Sequence, residues 1–100
     1  MRYEAHITVE AREGLWGNFQ EMGRLNDFKT SRFDIDEVDN MDGKWFMTAG
    51  QDNLDDLKLA VKAMLMGLSF MNYSIVRFKI EETLLDSKDG ATIGYIRLRQ

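Results

Sequence analysis

The chain contains no cysteine and no proline, and a single histidine. Without cysteine there is no disulfide, no thiolate metal ligand and no cysteine nucleophile, and the absence fits a reducing compartment such as the cytoplasm. One histidine cannot build a multi-histidine metal site within one chain, so neither zinc nor another cofactor is expected. Without proline, the turns fall to Gly, Asn and Asp. Long apolar runs are also missing. Arg2, Glu4, His6 and Glu10 interrupt the opening residues, leaving no signal-peptide core, and no stretch reaches the length of a membrane span, so a soluble protein is expected. Basic charge is outweighed, with 13 Lys and Arg against 17 Asp and Glu, a formal net charge of −4. That balance disfavours duplex nucleic acid, whose binding needs many phosphates neutralised. It does not prevent a local patch from holding one phosphate.

What the chain does have is enough apolar material for one core. At 100 residues, 44% hydrophobic and 30% charged, it reads as a single domain spanning residues 1–100. Arg2 to Glu10 alternates strictly, with Tyr3, Ala5, Ile7 and Val9 on one face and Glu4, His6, Thr8 and Glu10 on the other, which predicts a half-buried strand. Leu15, Phe19, Met22 and Leu25 recur at helical spacing, although Gly17 and Gly23 inside that segment each cost about 1 kcal/mol relative to Ala. Phe28 to Asp36 and Lys44 to Gly50 read as strands joined through the Asp42–Gly43 turn signal. Asn53 is placed to cap a helix with Asp55 and Asp56 in its first turn, and Leu54, Leu57, Val61, Met64, Leu65, Leu68 and Met71 give that helix a wide apolar stripe. Met22, Met64, Met66 and Met71 are taken as core packing. Tyr73 to Leu85 alternates again, with Val76, Phe78 and Ile80 opposite Ile75, Arg77, Lys79 and Glu81. Asp89 and Gly90 turn into a last strand, Thr92 to Leu98, where Gly94 permits a bulge.

The order βαββαββ predicts an α+β, ferredoxin-like βαββαβ sandwich with an extra C-terminal strand and both helices on one face of an antiparallel sheet. In that arrangement the first strand is central, flanked by the third and fourth, and the other sheet face is open. Period two then puts His6, Thr8, Thr48, Arg77, Lys79 and Glu81 on one surface. Arg77 and Lys79 are suited to holding a phosphate, Thr8 to donating to one of its oxygens, and His6 to general acid or base work. Glu81 would orient His6 or Lys79. Lys29, Ser31 and Arg32 extend the site or guard a sheet edge. The competing view is a solvated sheet face of cross-strand pairs, each contributing about 0.2–1 kcal/mol. Of Trp45 and Phe46, one belongs to the core and the other to the open face, where it would stack on a base or join a dimer interface. Asp34, Asp36, Glu37, Asp39 and Asp42 read as a solvated hairpin end, since Gly43 is out of register for a calcium loop and Val38 occupies a ligand position.

The strings EAHITVE (Glu4 to Glu10), WFMTAGQDN (Trp45 to Asn53) and RFKIEETLLDS (Arg77 to Ser87) resemble a family of small, uncharacterised ferredoxin-like proteins, over most of the chain and in order. The resemblance implies site positions at His6, Thr8, Lys29, Thr48, Arg77, Lys79 and Glu81. HxT at His6 and Thr8 also resembles, more distantly, one lobe of the two-histidine phosphoesterases, in which two such motifs face each other. This chain departs from that pattern in having one, so a complete pair needs two chains or another proton carrier such as Lys79.

Two functions compete on this reading. One is binding, with or without hydrolysis, of a phosphate-bearing small ligand such as a nucleotide on the open face, with His6 and Thr8 catalytic and Lys29, Thr48, Arg77, Lys79 and Glu81 binding. The other is a non-catalytic acidic interaction module, an inhibitor or adaptor. A homodimer through the uncovered sheet face or the edge strand is expected with either. Sedimentation at high concentration should then report twice the 11.6 kDa chain mass; a monomer at every concentration removes the expectation.

Overall fold

The computed structural model describes residues 2–32, 43–83 and 90–94. Five strands, β1 (Arg2–Glu10), β2 (Lys29–Arg32), β3 (Lys44–Gln51), β4 (Ile75–Thr83) and β5 (Gly90–Gly94), and two helices, α1 (Trp16–Leu25) and α2 (Leu54–Phe70), follow in the order βαββαββ. They build one sheet of order β2-β3-β1-β4-β5 in which every neighbouring pair is antiparallel. The first four strands and both helices form the expected ferredoxin-like arrangement, and β5 adds an edge strand beside β4. No helix among the described residues is long and apolar enough to cross a membrane.

Alternation along β1 decides which face the helices cover. Ala5, Ile7 and Val9 are buried, together with Met47 and Ala49 of β3 and Ile80 of β4, against Phe19 of α1 and Leu57, Val61, Leu65 and Leu68 of α2. At about 25 cal/mol per Å² of apolar surface, that layer is the main source of stability. Asn53 starts α2 in an extended conformation, and its Oδ1 accepts from the Asp56 N–H at 2.9 Å. At one end of the helix-covered face, Trp16, Phe19, Trp45 and Tyr73 pack ring to ring. Trp45 meets Trp16 edge-on at 5.2 Å, and Phe19 lies 5.7 Å from Tyr73. The Tyr73 hydroxyl donates to Asn18 Oδ1 at 2.7 Å, giving its polar tip a partner.

Several expectations need correction. Val76 does not face the helices: Thr8 stands opposite Arg77 but Val9 opposite Ile75, so the register slips by one residue in a β-bulge. The slip reverses the phase at this end of β4. Ile75 packs on the core and Val76 turns outward, 44% exposed, while Phe78 and Ile80 keep the inward phase. Met66 is not core packing but 64% exposed, because it falls about 200° around α2 from Met64 at 3.6 residues per turn. Met71, past the helix end, is also exposed. Phe28 and Tyr73 precede their strands, and Gly90 lies inside β5, paired with Thr83, rather than in a turn. Gly94 does border an irregularity, between Ile80 and Glu81. The acidic segment from Asp34 to Asp42 and residues 95–98, expected in the last strand, lie outside the described residues.

The two glycines of α1 differ in surroundings. A Cβ on Gly23 would stand 2.8 Å from the Phe28 carbonyl oxygen and 2.6 Å from Thr30 Cγ2, whereas one on Gly17 would meet nothing within 4 Å. Gly23 therefore permits close approach of the helix to β2, and Gly17 only weakens the helix. Gly17→Ala should raise stability by about 0.5–1 kcal/mol, and Gly23→Ala should lower it. Urea unfolding checks both, and two changes of the same sign would contradict the packing described.

Candidate functional site

Directly opposed residues of antiparallel strands share a face, with Cβ atoms about 4.5–5.5 Å apart. One row therefore runs across four strands as Lys29, Thr48, His6 and Lys79. The adjacent row is Ser31, Phe46, Thr8 and Arg77, and the row on the other side is Gly50, Glu4 and Glu81. His6, Thr8, Lys29, Thr48, Arg77, Lys79 and Glu81 are thus on the open face, within three neighbouring rows. The central position of β1 brings His6 and Thr8 between the third and fourth strands. Arg32 has the opposite parity, opposite buried Trp45, and its guanidinium lies 4.6 Å from the Trp16 ring centroid, so it covers the aromatic cluster instead of extending the site. Trp45 is the core member of its pair and Phe46 the open-face member.

The face is electrostatically divided. On one side Glu4 and Glu81 stand directly opposite each other, a like-charge pairing that is unfavourable unless cations intervene. They do intervene. Lys79 Nζ lies 2.6 Å from Glu81 Oε1, and His6 Nε2 lies 3.2 Å from Glu81 Oε2 and 3.9 Å from Glu4 Oε2. The hydrogen bond from Lys79 holds the Glu81 carboxyl below its ordinary range; partial burial opposes this, and the Lys79 charge and the neighbouring His6 side chain assist it. The His6 Nε2 atom is buried among these groups and makes no aligned hydrogen bond among the described residues.

On the other side a concave space of about 370 Å³ is lined by His6, Thr8, Lys44, Phe46, Val76, Arg77 and Lys79. Three cations line it, and among the described residues no carboxylate does. Lys44 reaches Glu10 at 3.0 Å and Lys79 reaches Glu81, whereas no carboxylate among the described residues lies within ion-pair distance of Arg77. Thr8 forms the floor, 9% exposed, and Phe46 and Val76 give the walls apolar surface. The volume is near the lower end of the range for small-ligand sites. Lys29, Thr48 and Glu81 share the face but do not line this space. Among the described residues no group of three or more His, Cys, Asp or Glu side chains is arranged to hold a metal ion.

Sequence reasoning left Lys44, Val76 and Glu4 out of the site. Lys44 carries the same parity as Phe46 and Thr48, and Glu4 the same parity as His6, so counting by two along β1 and β3 finds both. Val76 has no such signal, because the bulge that turns it outward arises between strands.

Comparison of the chain with family models, with curated proteins and with solved structures finds no match. Cations that converge on a concave surface beside a titratable imidazole can bind a phosphate or carboxylate and can exchange a proton with it.

Because the Glu81 carboxyl is held low when folded, the stability it contributes is present above its ordinary value of 4.5 and is lost as pH falls through the lowered folded value. Glu81→Gln should therefore lose less stability than the wild type on acidification from neutral pH to below that ordinary value. Equal slopes of denaturant midpoint against pH would show that the Lys79 contact has no such effect.

Proposed function

We propose that the open sheet face binds a phosphate-bearing small ligand such as a nucleotide, and that any cleavage of that ligand depends on His6. The observation that carries this reading is the space of about 370 Å³ bordered by Lys44, Arg77, Lys79 and His6, with Thr8 on its floor and no carboxylate among the described residues along it. Arg77 supplies a planar guanidinium able to take two phosphate oxygens at once, and the lysines supply point charges. Phe46 offers a flat apolar surface of the kind that bases stack on. His6 borders the same space, within reach of a group held by Arg77 or Lys79. Its role in this reading is proton transfer to or from the leaving oxygen. A reducing cytoplasm, which the lack of cysteine fits, is the setting proposed.

Calorimetry against a panel of nucleoside mono-, di- and triphosphates tests the reading. Binding of at least one is expected, and Arg77→Ala or Lys79→Ala should weaken it about tenfold or more, since a hydrogen bond to a charged group contributes about 1.5–3 kcal/mol. His6→Ala should spare most of the affinity and remove any turnover. No heat with any member of the panel, or unchanged affinity in the Arg77 and Lys79 variants, would refute the proposal.

A further inference from the structure

The Glu81 carboxylate divides its two oxygens between two partners, Oε1 to the Lys79 ammonium and Oε2 to the His6 imidazole. Lys79 has a second allegiance, because it also lines the cation-bordered space, which Glu81 does not reach. An anion in that space competes with Glu81 for the ammonium, and the flexible stem of lysine lets it turn from one to the other. When it turns, Glu81 loses its closest cation while the imidazole stays beside it.

We propose that Glu81 is a positioning residue that couples ligand binding to proton uptake at His6: Lys79 moves from Glu81 to the bound phosphate, and the freed carboxylate takes its replacement positive charge from the imidazole, protonated from solvent. The inference rests on the phosphate-binding reading above and deepens it.

The surroundings of His6 favour this exchange. From its own strand it faces Glu4, with Nε2 at 3.9 Å. From β4 it faces Lys79 directly opposite, with Glu81 and Arg77 in the rows on either side. From β3 it faces uncharged Thr48, with Lys44 farther along at the rim of the space and Lys29 of β2 beyond Thr48 in the same row. The helices lie on the other face of the sheet and contribute no charge here. The buried Nε2, with no aligned acceptor, needs only a small movement of Glu81 to gain one. A ligand phosphate adds negative charge on the opposite side of the ring, so both changes favour imidazolium.

With a single histidine in the chain, the imidazole proton resonance needs no assignment, and its pH titration is read directly by NMR. The titration midpoint is the quantity to follow, because phosphate changes its own charge over the same range and confuses affinity measured against pH. The wild type is compared in saturating inorganic phosphate and in sodium chloride of equal ionic strength. The midpoint should rise in phosphate by about one pH unit, as expected for an opposite charge brought within several ångströms. In Glu81→Gln that rise should be clearly smaller, while phosphate still perturbs the Thr8 and Arg77 amides. Lys79→Met, a second variant, should raise the midpoint already in chloride, and less so in the Glu81→Gln background. An equal phosphate-induced rise with and without the Glu81 carboxylate, or phosphate binding with no rise, overturns the coupling and leaves the binding reading in place. Absence of any saturable phosphate effect at Thr8 and Arg77 removes the binding reading and this inference together.

Discussion

The two-residue alternation of β1, at the centre of an antiparallel sheet, is the constraint on which the rest of the molecule depends. Ala5, Ile7 and Val9 are drawn beneath the helices because burying them removes apolar surface from water. The same pleat sends Glu4, His6 and Thr8 to the opposite face, and a slip of one residue would exchange the two sets. Both neighbours of β1 are antiparallel and in register with it over most of its length, so the polar residues of β3 and β4 are carried to the same surface. Core and candidate site are two consequences of one register.

The site follows from how charge is distributed over that surface. Glu4 and Glu81 are forced into opposition by the pairing of β1 with β4, and Lys79 offsets the repulsion, with the His6 imidazole beside them. One row away, Arg77, Lys79 and Lys44 converge on a concave space that no carboxylate among the described residues lines, although Lys44 reaches Glu10 and Lys79 reaches Glu81. Exposed ion pairs contribute little to stability, about 0–1 kcal/mol.

The bulge in β4 shapes that concavity. Pairing without it would send Val76 under the helices and Ile75 outward. With it, Ile75 joins the core beside the aromatic cluster and Val76 becomes a wall next to Arg77. A single extra residue thus serves packing on one face and the shape of the site on the other.

The chain by itself determined the order of elements, the cap at Asn53, the inward residues of β1 and the shared face of His6, Thr8, Thr48, Arg77, Lys79 and Glu81, because these follow from local periodicity and capping chemistry. Tertiary structure decided what local pattern cannot carry. The bulge opposite Thr8 and Val9 is a property of two paired strands, so Val76 was misplaced when β4 was read alone. The exposure of Met66 depended on which part of α2 meets the sheet, and the engagement of Arg32 with Trp16 on where α1 lies. The division of the open face into a carboxylate side and a cation-lined hollow likewise required side chains from three strands to be set against one another, which no single segment specifies.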